Sequence, residues 1–495
     1  MDELALLPAT AVARLVARRE VTSRELVELQ IRRVRRLDPG LGAVVLLDEE
    51  GALAAARAAD AAVAAGRPLG PLHGVPMTVK DAFATAGMRT TSGDPGRADH
   101  VPAADAVAVA RLRAAGCVVA GKTNVPSGVT GQETANPLFG RTSNPWDRSR
   151  TPGGSSGGAA AALAAGLTWL ELGSDMGGSI RQPAHCCGVA GHVPSHGLVP
   201  HRGHLPSVPL HERDAEIDLM EVGPLARAPA DLRAALLAIA GPDDDAAPAW
   251  RLELPPAPSG GLRGLRAAAW LDDPAAPCDA AVREVLEGAV DALADAGLAV
   301  DRRARPAATL EDAWRTAFAL WVSGSSAGTS DEEMDGYRER ARRLDPGDDS
   351  LAARRLRAEV MEHRDWLRAD AARRAVGRAF AALFREVDVL LCPVIGVEAP
   401  EHDPDPDGIP SVEHRLARTI TVDGRPRPYL DQLVWNTVVG MARLPSTVVP
   451  AGRTRRGMPV GLQVVGPITG DLLTLRVAEL AAAVLGLPGP PPGCA

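Results

Sequence analysis

The chain has 495 residues, of which 46% are hydrophobic and 23% charged, and its formal net charge is −8. This length and apolar content allow one large or two modest domains with a substantial core. Charges of both signs are spread along the chain, which excludes a concentrated basic face for nucleic acid or anionic lipid. The N-terminus lacks a secretory pattern and the six cysteines have no Cys-x-x-Cys spacing, so we expect reduced thiols in a cytoplasmic protein.

The first predicted elements are helices followed by short apolar strands. Residues 1–66 carry helical patterns, with a capping-box sequence at Thr22–Glu25. A strand is predicted at 75–79, a helix at 104–115 and a second strand at 118–120.

An uncharged run extends from Thr151 to Leu170. It is long enough for a membrane span, but it opens with a polar sequence broken by glycines. We therefore expect a buried alanine-rich helix at about 158–166, followed by an extended stretch at 169–173.

The alternation of short strands with helices predicts an α/β fold with helices on both faces of the sheet. Later strands are predicted at 265–270, 387–391 and 448–449, and a helix at 280–296. We expect a single domain over 1–495, whose segments are N-terminal helices (1–66), a catalytic core (about 67–240), a connector (241–262), a helical cover (about 308–387), C-terminal strands and a helix (about 388–485), and a mobile tail (486–495).

Two serines lie in glycine-rich turns. Ser155 lies within Gly153–Gly158, and Ser179 follows two further glycines. A Gly/Ser tract is by default a flexible linker. Here Thr151-Pro152 and the alanine-rich helix bracket it, which favours a turn that opens a helix. Consecutive N–H groups in such turns can converge on a developing oxyanion, typically an effect of about 3 kcal/mol per donor.

A lysine upstream is a candidate base for these serines. Serine needs a neighbouring base to act as a nucleophile, and Lys80 ends the apolar stretch Gly-Val-Pro-Met-Thr-Val-Lys. A lysine that acts as a base near pH 7 needs its pKa lowered by about three units, or about 4 kcal/mol, which burial can supply. The alternative is a lysine paired with Asp81 at a strand end, and spacing alone leaves both open.

Together these segments resemble the amidase signature family, serine hydrolases with a Ser–cis-Ser–Lys triad. The resemblance runs from about residue 5 to 485 and implies a large mixed twisted β-sheet covered by helices on both faces. The matching blocks are Gly74–Asp81, Asn136–Gly140, Asn144–Trp146, Thr151–Gly158, Gly173–Arg181 and Pro459–Gly466.

The resemblance also implies a role for each residue of the site. Ser179 would be the nucleophile, Ser155 would follow a cis peptide and relay the proton, and Lys80 would be the general base. Asp175 and Arg181 would support the turn, and no metal or cofactor is expected. The oxyanion hole would comprise the backbone N–H groups of Met176, Gly177, Gly178 and Ser179, and the substrate pocket would include Val129, Thr130, Gly131 and Gln132.

The implied function is hydrolysis of a carboxamide-type C–N bond, in an amide, anilide or carbamate, through an acyl-enzyme on Ser179. We expect a small-molecule amide substrate, no nucleic acid, no membrane and a possible homodimer. The alternatives are the glutamine-hydrolysing subunit of a tRNA-dependent amidotransferase and a non-catalytic binding protein on the same fold. Val193 and Leu198 replace the lysine and arginine of many family members, which disfavours the amidotransferase alternative.

Three other patterns point to different chemistry. Gly116–Thr123 matches the phosphate-loop pattern G-x-x-x-x-G-K-T, but a helix precedes it and a strand lies inside it, which disfavours nucleotide binding. The acidic stretch Glu401–Gly408 is predicted to be a solvated loop. A group without regular zinc spacing is expected to comprise structural thiols and pocket-lining histidines, namely Cys186, Cys187, His185, His192, His196, His201 and His204.

Overall fold

The computed structural model of the protein describes residues 2–205, 217–326, 329–403 and 412–495. Residues 404–408 of the predicted acidic loop lie outside these ranges. Across the described ranges, no helix is long and apolar enough to cross a membrane.

The strands alternate with helices along the chain, as the sequence predicts. The strands are β1 (Val44–Leu47), β2 (Pro76–Lys80), β3 (Val118–Thr123), β4 (Ala135–Asn136), β5 (Gly140–Arg141), β6 (Leu170–Asp175), β7 (Ala190–Val193), β8 (Glu221–Ala226), β9 (Arg266–Ala269), β10 (Ala299–Asp301), β11 (Val389–Pro393), β12 (Thr419–Val422), β13 (Arg425–Pro428), β14 (Ser446–Arg453) and β15 (Pro459–Val465).

The helices are α1 (Ala9–Ala17), α2 (Ser23–Leu37), α3 (Glu49–Ala64), α4 (Val107–Ala114), α5 (Gly157–Ala164), α6 (Arg181–Cys187), α7 (Pro229–Ile239), α8 (Ala280–Asp295), α9 (Leu310–Ser325), α10 (Asp331–Arg342), α11 (Leu351–Glu359), α12 (His363–Leu383), α13 (Val412–Ala417), α14 (Val434–Met441) and α15 (Asp471–Leu485). The predicted capping box opens α2, because the Thr22 side chain accepts from the Glu25 amide and the Glu25 carboxylate accepts from the Thr22 amide.

Within the described residues, eleven strands form one mixed sheet in the order β1-β3-β2-β6-β8-β7-β14-β15-β11-β9-β10. Strands β2 and β6 are parallel neighbours, so their carboxyl ends lie at the same edge. Strands from both sides of the 241–262 connector belong to this sheet. The fold is therefore an α/β fold built on a large mixed sheet, as predicted.

Helices cover both faces of the sheet. Neighbouring residues of β11 show this, since side chains alternate between faces along a strand. Leu390 packs in a cluster that includes residues of α5, α6 and α9, whereas Val389 and Leu391 pack in a cluster with residues of α8 and α15. Helix α5 is buried along its whole length, so the uncharged run near 151–170 forms the predicted buried helix.

The C-terminal tail, predicted to be mobile, has contacts with the body of the protein near its end. The buried Arg33 side chain donates to the Cys494 carbonyl at 2.6 Å, and the Cys494 side chain is buried. Because Arg33 also donates to the Ala165 and Gly166 carbonyls, the tail is joined to the end of α5. Its proline and glycine content says nothing about this distant partner.

Candidate active site

Lys80 is the last residue of β2 and is completely buried. Its Nζ donates to Ser155 Oγ at 2.7 Å, to Ser174 Oγ at 3.0 Å and to the Ser174 carbonyl at 3.3 Å. Ser174 lies near the end of β6, beside β2. The parallel pairing of β2 with β6 thus brings Lys80 close to the turn that contains Ser179. Ser155 comes from the glycine-rich turn that lies between these strands in the sequence.

Burial lowers the pKa of Lys80 to about 7, although the Asp175 and Glu171 carboxylates act in the opposite direction. The alternative pairing with Asp81 is not what the structure shows. The Asp81 carboxylate accepts from the Thr91 amide and hydroxyl, while the lysine amine contacts two serines. An amine with this pKa is partly neutral at pH 7 and able to accept a proton.

The glycine-rich turn around Ser155 is a packed helix start and does not form a flexible linker. Its residues are buried, and α5 begins at Gly157. The peptide bond between Gly154 and Ser155 is cis. A Cβ atom on Gly158 would lie 2.4 Å from the Asn124 amide nitrogen, so glycine is needed for the close approach of the two backbones.

The second turn is held by a buried carboxylate. Asp175 Oδ1 accepts from the Gly178 amide at 2.7 Å, and Oδ2 accepts from the Ile180 amide at 3.0 Å. Arg181 donates to both oxygens, at 2.8 and 3.0 Å. Burial favours the neutral acid, but the guanidinium and the amides outweigh it and hold the pKa of Asp175 below its usual range. This ionised pair fixes the backbone around Ser179.

The same contacts correct one predicted role. The Gly178 amide, expected to be an oxyanion donor, is directed to Asp175 in this structure. The backbone N–H groups of Met176, Gly177 and Ser179 remain the proposed donors. Sequence spacing cannot distinguish these amides, because only the folded turn determines which of them meets the carboxylate.

Ser179 lies in the wall of a pocket. Its wall includes the four predicted residues Val129, Thr130, Gly131 and Gln132, together with Met176 and Gly177 of the serine turn. Helix α9 contributes Phe318 and Trp321, and α11 contributes Arg355 and Glu359. Thus parts of the predicted helical cover do reach the pocket.

The charged part of the wall was not identified from the sequence. Arg355 and Glu359 form an ion pair one helical turn apart on α11, and Arg415 lies on the same wall. Burial raises the pKa of Glu359, while Arg355 and Arg415 act against it. The i,i+4 spacing of Arg355 and Glu359 was the available signal, but such pairs are common on solvated helices.

Three of the histidines predicted to line the pocket lie elsewhere in the fold. His185 is buried and bonded to the Val397 carbonyl, and burial lowers its pKa to about 4. His192 lies between Thr447 and Asp471, and His196 contacts Glu221. For these three histidines the prediction of a pocket-lining position was wrong, because none belongs to the pocket wall and each contacts a residue of another segment.

Cys186 and Cys187 are buried, and burial raises the pKa of both thiols. Among the described residues, no group of three or more His, Cys, Asp or Glu side chains is arranged to hold a metal ion. The phosphate-loop look-alike forms a helix end and strand β3, as predicted. Its Lys122 is buried and donates to the Phe83 carbonyl and the Thr85 hydroxyl.

The chain matches the family model described as Amidase over residues 25–475. A glutamyl-tRNA(Gln) amidotransferase subunit from Acidothermus cellulolyticus is 35% identical, with 98% of this chain and 95% of the relative covered. The same subunit from Anaeromyxobacter sp. is 34% identical, with 96% of each covered.

Two solved structures are also similar over nearly the whole chain. One is from a vestigial protein complex that bears on the origins of an s-triazine catabolic enzyme, with a TM-score of 0.78, 29% identity, and coverage of 98% of this chain and 100% of that chain. The other is the corresponding glutamyl-tRNA(Gln) amidotransferase subunit from Thermotoga maritima, with a TM-score of 0.72, 25% identity and coverage of 95% and 94%.

The α/β fold and these matches define an enzyme that acts on amide bonds. The chain belongs to the amidase signature family.

The comparisons correct the expected partners. The expectation was a small-molecule amide substrate, no nucleic acid, no membrane and a possible homodimer, and the dispersed charge was the reason for excluding nucleic acid. The relatives are instead named as one subunit of an enzyme that acts with glutamyl-tRNA(Gln). The expectation was wrong because charge along one chain does not report what an assembly of several chains binds.

The amidotransferase alternative is also better supported by the relatives than the residues at positions 193 and 198 indicated. Val193 ends β7 and Leu198 lies in the following turn, and both side chains are buried. Neither belongs to the pocket wall. Their replacement of charged residues therefore changes buried packing and does not alter this pocket wall.

Proposed function

We propose that this chain hydrolyses the side-chain carboxamide of glutamine, as the ammonia-releasing subunit of a tRNA-dependent amidotransferase. The observation that carries the proposal is the 2.7 Å contact between Lys80 Nζ and Ser155 Oγ beneath a pocket that contains Ser179. The names of the relatives support the choice of substrate and assembly.

The proposed chemistry begins with a neutral Lys80. The amine takes the Ser155 proton as Ser155 takes the proton of Ser179, whose Oγ attacks the carboxamide carbon. Backbone N–H groups of Met176, Gly177 and Ser179 stabilise the oxyanion. The C–N bond then breaks, and the proton returns through Ser155 to the leaving nitrogen. Water hydrolyses the acyl-enzyme, so that glutamine and water give glutamate and ammonia.

The charges of the pocket suit an amino-acid head group. Arg355 and Arg415 offer guanidinium groups for an α-carboxylate, and Glu359 offers a carboxylate for an α-ammonium group. A simple aliphatic amide has neither charge. Glutamine therefore gains contacts in this pocket that propionamide lacks, and these contacts hold its carboxamide over Ser179.

Ammonia release from glutamine and from propionamide tests the substrate choice directly. We expect kcat/KM for glutamine to exceed that for propionamide by at least about 100-fold, the effect of two charge-assisted contacts. Arg355→Met should raise KM for glutamine about tenfold or more and leave propionamide hydrolysis unchanged. The matched control is Arg354→Met, since the neighbouring arginine pairs with Asp349 outside the pocket wall. Equal rates on both amides would overturn the assignment.

The assembly is tested separately. A tagged chain purified from its own host should elute with other subunits and with tRNA bound to the complex. Elution of the chain alone, from cells in which it is fully active on glutamine, would contradict the proposed assembly without affecting the proposed chemistry.

A second candidate function is hydrolysis of aryl amides. Phe318 and Trp321 form a tilted aromatic pair with ring centroids 6.0 Å apart, and both line the pocket. Such a surface favours an aromatic substrate group. Turnover of acetanilide together with inactivity on glutamine would select this function over the first.

A further inference from the structure

Lys80 also makes a hydrogen bond to the Ser174 side chain, which has no part in the proposed chemistry. Besides Ser155, the amine contacts Ser174 Oγ at 3.0 Å, and His204 Nε2 lies 2.9 Å from that same oxygen. A continuous chain of contacts therefore runs from His204 through Ser174 to Lys80 and on to Ser155. His204 and Ser174 are both buried, so the geometry of this chain is protected from solvent.

The fold fixes His204 relative to Lys80. Residues 82–84 lie just beyond the end of β2 and bond to the segment around His204: the Ala84 amide donates to the Gly203 carbonyl at 2.8 Å, and the Leu205 amide donates to the Ala82 carbonyl at 2.6 Å. The Phe83 ring meets the imidazole edge-on, with centroids 4.9 Å apart. The backbone on both sides of His204 and one edge of its ring thus contact the segment that follows Lys80.

The direction of the Ser174 proton determines what the lysine can do. A neutral amine has two N–H donors and one lone pair. If the Ser174 hydroxyl donates to the amine, it occupies the lone pair that Ser155 needs. If it donates to an imidazole nitrogen, its oxygen accepts an N–H from Lys80, and the lone pair is left for the Ser155 proton.

We propose that His204 is a positioning residue for the general base. In the tautomer with its proton on Nδ1, His204 accepts the Ser174 proton at Nε2 and thereby directs the lone pair of Lys80 towards Ser155. Neither His204 nor Ser174 gains or loses a proton during turnover. This inference rests on the proposed role of Lys80, but it is independent of which amide is the substrate.

Two substitutions of His204 distinguish the effect of its hydrogen bond to Ser174 from the effect of its packing against Phe83. His204→Phe keeps a ring against Phe83 and removes the acceptor, whereas His204→Gln places an amide oxygen near the position of Nε2. We expect His204→Phe to lower kcat and the rate of Ser179 labelling by a fluorophosphonate by about tenfold to 100-fold, a part of the roughly 100-fold to 10,000-fold that a general base contributes. KM should stay within about twofold, and His204→Gln should restore most of the lost rate.

A double-mutant comparison tests whether His204 acts through Ser174. In a Ser174→Ala background, His204→Phe should have no further effect on the labelling rate, because the hydroxyl that it orients is gone. Additive losses, or a Gln variant as slow as the Phe variant with the same thermal stability, would overturn the inference. Absence of labelling at Ser179 in the unsubstituted protein would instead refute the proposed function itself.

Discussion

Replacing Lys80 with methionine should remove catalysis and change how stability depends on pH. Burial lowers the pKa of this lysine from 10.5 to about 7, which corresponds to about 5 kcal/mol. Since the unfolded lysine keeps its ordinary pKa, the unfolded state binds more protons between these values. The free energy of unfolding of the unsubstituted protein therefore rises with pH across this window, and the lysine contribution is least favourable below pH 7.

The expected magnitude follows from these two pKa values. Between pH 7 and pH 9.5, the free energy of unfolding of the unsubstituted protein should rise by about 3 kcal/mol relative to that of Lys80→Met. At pH 7 the variant should be the more stable protein, because relief of the buried amine, about 4 kcal/mol at this pH, exceeds the loss of about 1–3 kcal/mol from the Ser155 hydroxyl that loses its partner, while the Ser174 hydroxyl keeps its contact with His204.

Urea unfolding followed by tryptophan fluorescence at several pH values measures this difference. The chain offers a control in Lys122, a second buried lysine whose pKa is lowered to about 8. Lys122→Met should show a smaller pH-dependent change of about 2 kcal/mol and should keep Ser179 labelling. A stability difference between the unsubstituted protein and Lys80→Met that does not vary with pH would show that burial does not lower the pKa of Lys80.

Two further substitutions address the serine turn. Asp175→Asn leaves the buried Arg181 guanidinium without its charge partner, so urea unfolding should show a loss of about 3–5 kcal/mol together with loss of Ser179 labelling; unchanged stability would contradict the buried pair. Gly178 has a φ of +118°, and its added Cβ would lie 2.8 Å from a side-chain nitrogen, so Gly178→Ala should lower kcat by about tenfold or more. Gly264→Ala, at a φ of +92° in open space, is the control for strain alone, and an equal loss of activity there would refute the local argument.

Much of the fold was predictable because its elements carry local signals. The capping box at Thr22 and the apolar run that ends at Lys80 predict a helix and a strand from adjacent residues alone. The α/β class follows from their alternation with helices. The strand order does not, since the eleven-stranded sheet pairs β7 with β14 across more than half of the chain, and no local pattern records that pairing.

The site was predictable where backbone chemistry restricts the residue type. Glycines around Ser155 and Ser179 are required by close backbone approach and by a positive φ, so the sequence shows them. Arg355 and Glu359 were missed because their spacing also occurs on ordinary solvated helices, and their position over Ser179 depends on how α11 packs. The contact of His204 with Ser174 was not predicted for a related reason, since nothing in the sequence around a loop histidine indicates which distant side chain it meets.

The most direct test of the account is the pH dependence of fluorophosphonate labelling at Ser179, with the labelled residue identified by mass spectrometry. We predict a rate that rises with pH around a midpoint near 7, the value to which burial lowers the pKa of Lys80, and labelling that is lost in Lys80→Met. A rate independent of pH, or a label on a different residue, would contradict it.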